Sequence, residues 1–155
     1  MTDVPARLAE LGLALPTPPR PVASYVPFVR SGALLHVSGQ IPIRDGKLLA
    51  TGPVPDPVDV AAAQAAARQC VLNGLAVLGD AVQGDWDALR RVVRVGVFVA
   101  CGPGFGDQPT IGNGASDLLV EVFGDAGRHA RAAVGCSALP LNVPVEVEFL
   151  FELTG

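Results

Sequence analysis

The chain has 155 residues, half of them apolar, with a formal charge of −4 and a pI near 5.0. That length fits one domain with a proper core. Nucleic-acid phosphates are met by clustered Lys and Arg, and bases stack on aromatic rings. Here Lys47 is the one lysine and aromatics make up 5% of the residues, so an RNA or DNA partner is not expected.

Mean hydropathy is high at +0.42, yet no apolar run approaches the roughly 20 residues that span a bilayer. The richest stretch, Val60 to Val82, is broken by Gln64, Arg68, Gln69, Asn73 and Asp80. The opening MTDVPARLAELGLALP carries acidic residues and no secretory h-region, which predicts a cytoplasmic protein without a membrane partner. The apolar surplus points to a subunit interface, hence a homo-oligomer. Cys70, Cys101 and Cys136 are odd in number and widely spaced, and His36 lies far from His129. Neither a disulfide framework nor a metal site is expected, and the thiols read as reduced.

Residues 1–21 read as an N-terminal arm: a short helix, Pro5 to Gly12, then an extended TPPRPV run on the surface. A single domain, 22–155, follows. Strands are predicted at Ala23–Arg30 and Ala33–Ser38, joined at Ser31-Gly32, where Gly32 supplies the positive φ of a tight turn. After Ser38–Pro42 (SGQIP) comes a second turn at Asp45-Gly46, a short strand at Lys47–Ala50 and a Pro-rich connection, Thr51–Pro57. Asp56 before Pro57 predicts a helix N-cap with Pro at the first helical position. The helix then runs to about Val82, with one apolar stripe through Val60, Ala63, Ala67, Cys70, Val71, Gly74, Leu75 and Leu78.

Leu89–Ala100, rich in valine, reads as a central strand, the segment 101–114 as a Gly-rich loop, and Ala115–Phe123 as a second helix stopped by Gly124. Arg131–Ala138 and Val145–Leu153 are predicted to pair antiparallel through LPLNVP. The order β-β-β-α-β-α-β-β implies an α+β domain, a mixed sheet with both helices on one face. In the last strand Val145, Val147, Phe149, Phe151 and Leu153 should face the helices. Glu146, Glu148, Leu150 and Glu152 then point to the opposite face, toward water or another subunit.

Two residue types in this pattern carry chemistry. Arg131 opens a strand of small and apolar residues, and its planar fork fits a carboxylate with two hydrogen bonds. The competing reading is that Arg131 pairs internally with a strand glutamate or lies at the surface. Glu146 and Glu148, expected on the adjoining strand, offer a carboxylate that burial would turn into a general base, or else simple solvated alternation. Gly102, Gly104 and Gly106 have neither the spacing nor the Lys-Ser/Thr of a phosphate loop. Ser24, Ser38 and Ser116 show no sequence-evident His/Asp set, and His129 reads as an isolated loop histidine.

Three segments occur in order: S-G-Q-I-P (Ser38 to Pro42), H-A-R (His129 to Arg131) and L-P-x-x-x-x-V-E-V-E (Leu139 to Glu148). With them the chain, from about residue 22 to its end, resembles the Rid family of reactive-intermediate (enamine/imine) deaminases, some of whose relatives carry a ribonuclease or translation-inhibitor (L-PSP) label. The resemblance implies a chorismate-mutase-like fold, a homotrimer and sites in clefts between subunits. It further implies hydrolysis of 2-imino acids to 2-keto acids and ammonia, with no metal and no organic cofactor. On that pattern Arg131 grips the substrate carboxylate, Glu146 orients the attacking water and Tyr25 closes the cleft. Ser38 and the backbone of Gly39 line it.

There are departures from the family pattern. Ala133 stands where many relatives have Cys and would contribute its backbone N–H, and His129 replaces a usual Pro. The family's Asn near the second helix has only Asn113 as a candidate. The partner implied is a small carboxylate metabolite. The alternative functions are a non-catalytic carboxylate binder and, against the acidic composition, an endoribonuclease.

Overall fold

Two long runs of alternating, β-branched residues organise the sheet. The computed structural model describes residues 3–21 and 23–155. Its strands are β1 (Phe28–Ser31), β2 (Leu34–Gln40), β3 (Ile43–Arg44), β4 (Lys47–Leu48), β5 (Leu89–Ala100), β6 (Ala130–Cys136) and β7 (Val145–Leu153). Its helices are α1 (Val4–Glu10), α2 (Val60–Ala81) and α3 (Gln108–Phe123). Five strands form one sheet in the order β1-β2-β7-β5-β6, and β3 and β4 form a separate small hairpin. All pairs in the main sheet are antiparallel except β5 with β6.

The alternation in the last strand holds along its whole length. Val145, Val147, Phe149, Phe151 and Leu153 are buried beneath the helices, and the even positions between them are half-buried on the other face. The rings of Phe149 and Phe151 stack with centroids 5.7 Å apart. The pairing predicted for this strand is corrected. β7 lies between β2 and β5, while β6 runs parallel to β5 at the sheet edge, reached through α3. A parallel neighbour needs a crossover, and α3 is that crossover.

α2 is more deeply placed than a single apolar stripe predicts. Every residue from Gln69 to Leu78 is buried, because the sheet, α3 and the 41–43 segment close around it. The two polar side chains in that stretch are satisfied. Asn73 Nδ2 donates to the carbonyls of Ile41 (2.9 Å) and Ile43 (3.0 Å), and Gln69 Nε2 donates to Asn73 Oδ1 (3.1 Å). The chain after Ser38-Gly39-Gln40 is thereby pinned across the helix. Gly74 permits close approach to the sheet: a Cβ there would lie 2.4 Å from the Phe149 ring. Gly74→Ala is therefore expected to cost about 1–3 kcal/mol through overpacking. Gly106→Ala, with nothing within 4 Å of the added carbon, should be close to neutral. Urea midpoints of the two variants check this.

Other boundaries differ for local reasons. The N-cap of α2 is Asp59, whose side chain accepts from Ala62 N at 2.7 Å, and not Asp56. The backbone N–H of Val54 is held by the Ala100 carbonyl at 2.9 Å and Val58 is buried, so the connection stays pinned to the sheet past Pro57. The first strand begins at Phe28, the residues before it forming bends. The short strand after Asp45-Gly46 proves to be half of the β3–β4 hairpin, with both turn residues at positive φ.

α3 begins at Gln108, inside the segment read as a loop. Glycines lower helix propensity, but here they mark close contacts. A Cβ on Gly114 would sit 2.3 Å from the Gln64 carbonyl oxygen of α2, and one on Gly112 would press on Arg131 and Ala133. Within the N-terminal arm, Val4 and Leu8 of α1 are fully buried in the common core, and Arg7 Nε donates to the Glu121 carbonyl at 2.8 Å. No helix among the described residues is long and apolar enough to cross a membrane.

Candidate functional site

Arg131 lies on β6, and its side chain turns toward α3. Nη1 donates to Asn113 Oδ1 (3.0 Å) and to Ser116 Oγ (3.1 Å), and Nη2 donates to the Pro109 carbonyl (3.3 Å). Gly112 makes room for it, since a Cβ there would be 3.0 Å from Nη1. Ala133, two residues on, faces the same side and is half-buried. Both hydrogens of Nη1 are thus engaged. Among the described residues Nε–H has no partner, and one Nη2 hydrogen remains. Nε–H and the Nη2 hydrogen beside it make up the side-on edge of the guanidinium, the edge that takes a carboxylate with two parallel bonds, and with Nε–H unpartnered among the described residues it is the edge left to a ligand. Neither a strand glutamate nor any other acid pairs with Arg131 among the described residues.

Behind Arg131 stands His129, on the same side of the chain. Its Nε2 is 2.9 Å from Ser116 Oγ and its Nδ1 is 2.6 Å from the Gly127 carbonyl. Burial lowers its pKa below the usual histidine value of 6.5, and the Arg131 charge adds to the effect against the Gly127 hydrogen bond. The isolated loop histidine expected from sequence is therefore part of the arginine's setting. Ser116, passed over for want of a nearby histidine, joins the two. Strand alternation places 129 and 131 on one side, the signal that would have found it.

Glu146 lies on the opposite face, on β7. Register between β2 and β7 breaks between Val37 and Gln40, and Gly39 sits in that break. A Cβ on Gly39 would lie 2.0 Å from Glu146 Oε1, so the glycine is where the carboxylate needs space. Burial raises the Glu146 pKa above the ordinary 4.5, with the Glu148 charge second. Such a group favours the fold while protonated, and that contribution is lost as pH rises through its elevated pKa. Glu148 is paired with Arg94 (3.3 Å) and Glu152 with Arg90 (3.4 Å). Among the described residues Glu146 has no cationic partner.

Ser38 is committed to structure. Its Oγ donates to the Val26 carbonyl at 2.7 Å and its backbone N–H to the Pro27 carbonyl at 3.0 Å. Those bonds hold the segment carrying Tyr25, which is 51% exposed, beside β2. A cavity of about 150 Å³ there is lined by Arg20, Tyr25, Gly39, Ile41 and Leu141. A larger cleft of about 360 Å³ on the open sheet face is lined by Val29, His36, Ser38, Arg94, Glu148 and Leu150. No group of three or more His, Cys, Asp or Glu among the described residues is placed to hold a metal ion.

The expected site residues therefore fall into two groups: Arg131, Asn113 and Ala133 at the β6 edge, and Tyr25, Ser38, Gly39 and Glu146 around β2 and β7. Glu146 is not on the strand adjoining Arg131, because β5 intervenes. Arg131 aligns with Val95 and Val95 with Phe149, so Glu146 is two strands across, three residues along and on the other face. Two interstrand spacings alone come to about 10 Å.

A family model described as "YjgF/chorismate_mutase-like, putative endoribonuclease" matches residues 5–153. The chain belongs to this family. It is similar to Protein TCP17 of Trypanosoma cruzi, 46% identical over 151 residues, covering 97% of this chain and 94% of that protein. It is also similar to the crystal structure of Atu1372 from Agrobacterium tumefaciens, a protein of unknown function. That likeness has 48% identity and a TM-score of 0.91, over 97% of this chain and 92% of that one. The crystal structure of the E. coli YjgF gene product matches at 28% identity and a TM-score of 0.63, over 88% and 93% of the two chains. The Rid resemblance read from SGQIP, HAR and the VEVE strand thus holds, as does the chorismate-mutase-like α+β fold.

Proposed function

We propose that this YjgF-family chain hydrolyses reactive 2-imino or enamine acids to 2-keto acids and ammonia, at sites completed between subunits. The observation that carries the reading is the separation of Arg131, with its side-on edge open, from Glu146, half-buried and without a cation. On this reading both act on one small carboxylate substrate, and a second copy brings them to the same ligand.

The chemistry follows from these groups. Arg131 binds the substrate carboxylate and so fixes the neighbouring imine carbon. That carbon is already electrophilic, and one oriented water suffices to attack it. Glu146 takes a proton from the water as the C–O bond forms and passes it to the imine nitrogen, giving a carbinolamine. It then takes the hydroxyl proton and delivers it to the same nitrogen as the C=O bond forms and the C–N bond breaks, releasing ammonia. A carboxyl with a raised pKa suits both transfers near neutral pH. Tyr25, exposed in the single chain, covers the ligand, and Ala133 contributes a backbone N–H beside Arg131. No metal or organic cofactor is invoked.

Release of 2-keto acid from an imino acid generated enzymatically in the same cuvette tests the reading. Binding of the keto acid without any acceleration of its formation would make the protein a carboxylate binder instead. Assembly is tested separately. The open sheet face carries exposed Val29, Leu34 and Val134 among its ions, and β6 leaves a sheet edge unpaired. Sedimentation equilibrium at micromolar concentration is expected to give about 48 kDa, three times the 15.9 kDa chain. A monomer would remove the intersubunit site.

A further inference from the structure

We infer that Ser116 and His129 are positioning residues that fix the Arg131 guanidinium for its ligand, and that protonation of His129 releases it. This rests on the proposed role of Arg131 as carboxylate clamp.

The hydrogen-bond directions are determined by chemistry. The Gly127 carbonyl can only accept, so at 2.6 Å His129 Nδ1 must carry a proton. In the neutral ring Nε2 is then a lone pair, and it accepts from the Ser116 hydroxyl at 2.9 Å. With its hydrogen turned to His129, Ser116 Oγ presents a lone pair to Arg131 Nη1 at 3.1 Å. The run is Arg131 to Ser116 to His129 to Gly127, every donor facing an acceptor. Asn113 and Pro109 hold the guanidinium from α3 directly, and this run ties it through Ser116 of the same helix to the segment just before β6. Together they engage Nη1 twice and leave Nε–H without a partner among the described residues.

A second proton on His129 breaks the run. Nε2 would become a donor, the serine hydrogen would have to rotate toward Arg131, and two cations would face one another across one hydroxyl. The charged groups around the ring are few. Arg131 on β6 acts on it directly. Asp125 of the Gly124–Gly127 turn and Arg128, the residue after it, pair with each other at 3.2 Å and are exposed. Burial and Arg131 both favour the neutral ring, as the depressed pKa records. The arrangement therefore holds at neutral pH and fails as pH falls below the ordinary histidine value.

The test is calorimetric binding of pyruvate, the simplest 2-keto acid, to the full chain. His129→Ala and Ser116→Ala are each expected to weaken binding roughly two- to tenfold. Each single loss is that of one ordinary positioning hydrogen bond, since the ligand's own bonds to the guanidinium remain. The double variant should be little worse than either single one, because the residues act in series. His129→Gln, whose side-chain oxygen can accept from Ser116, should recover most of the loss. Between about pH 7.5 and 5, wild type should weaken more than His129→Gln, which has no ring to charge; Glu146 titrates in both. If Arg131→Ala abolishes binding but His129→Ala and Ser116→Ala bind like wild type, this inference falls and the clamp stands. If Arg131→Ala binds normally, the clamp itself falls. Nitrogen-15 shifts of the His129 ring in the unmodified protein give an independent check, and a proton on Nε2 at neutral pH would overturn the inference.

Discussion

Arg131→Lys is expected to weaken keto-acid binding severely and turnover further, although it preserves the charge. An ammonium is a compact point charge with three rotating donors, while the guanidinium here divides five fixed donors between two tasks. Three hydrogen bonds lock it to Asn113, Ser116 and the Pro109 carbonyl. The remaining edge meets the ligand. A lysine at 131 cannot do both, so the ligand loses a bidentate pair and the imine carbon loses its orientation. A good charge-assisted hydrogen bond contributes roughly 1.5–3 kcal/mol, or about 10- to 150-fold in affinity. Turnover should fall further, because the clamp also places the reacting carbon. Calorimetry with a 2-keto acid beside kinetics on the imino acid reads both losses. Retention of both by Arg131→Lys would remove the carboxylate clamp.

Glu146→Gln should separate binding from chemistry. It keeps the shape and one accepting oxygen in the space beside Gly39, but removes the proton carrier. Turnover should drop roughly 10²–10⁴-fold, the usual range for a general acid–base group, while the keto acid still binds. Glu148→Gln is the control: it lies on the same sheet face, but its carboxylate is engaged with Arg94. It should change turnover little. The wild-type pH profile carries the same information. The base must be ionised to take a proton from water, so activity falls as pH drops through the raised Glu146 pKa. A damaging Glu148→Gln beside a silent Glu146→Gln would show that the acid is misassigned.

Much of the architecture was legible because it is local. The period-two run in Val145–Leu153 marks a strand with one buried face, and Gly32 and Asp45-Gly46 mark tight turns by their positive φ. Asn113 was singled out only as a candidate for the family's asparagine, and its contact with Arg131 at 3.0 Å comes from the structure alone. What stayed hidden was non-local. A strand such as β6, small and apolar on both sides, carries no mark of whether its neighbour is β5 or β7. Glycines at 112 and 114 look like loop residues until Arg131 and Gln64 are seen against them.

The sequence by itself determined the elements of the domain, the face the last strand buries, and the family, through short motifs whose order survives without any coordinates. Tertiary structure decided which chemical groups meet. Parallel pairing of β6 with β5 turned Arg131 toward Asn113, Ser116 and His129, and put β5 between it and Glu146. The physical reason is that alternation and propensity are properties of neighbouring residues, whereas strand order is chosen by how helices and sheet jointly bury the core. The close packing of Gly74 on the Phe149 ring belongs to that core.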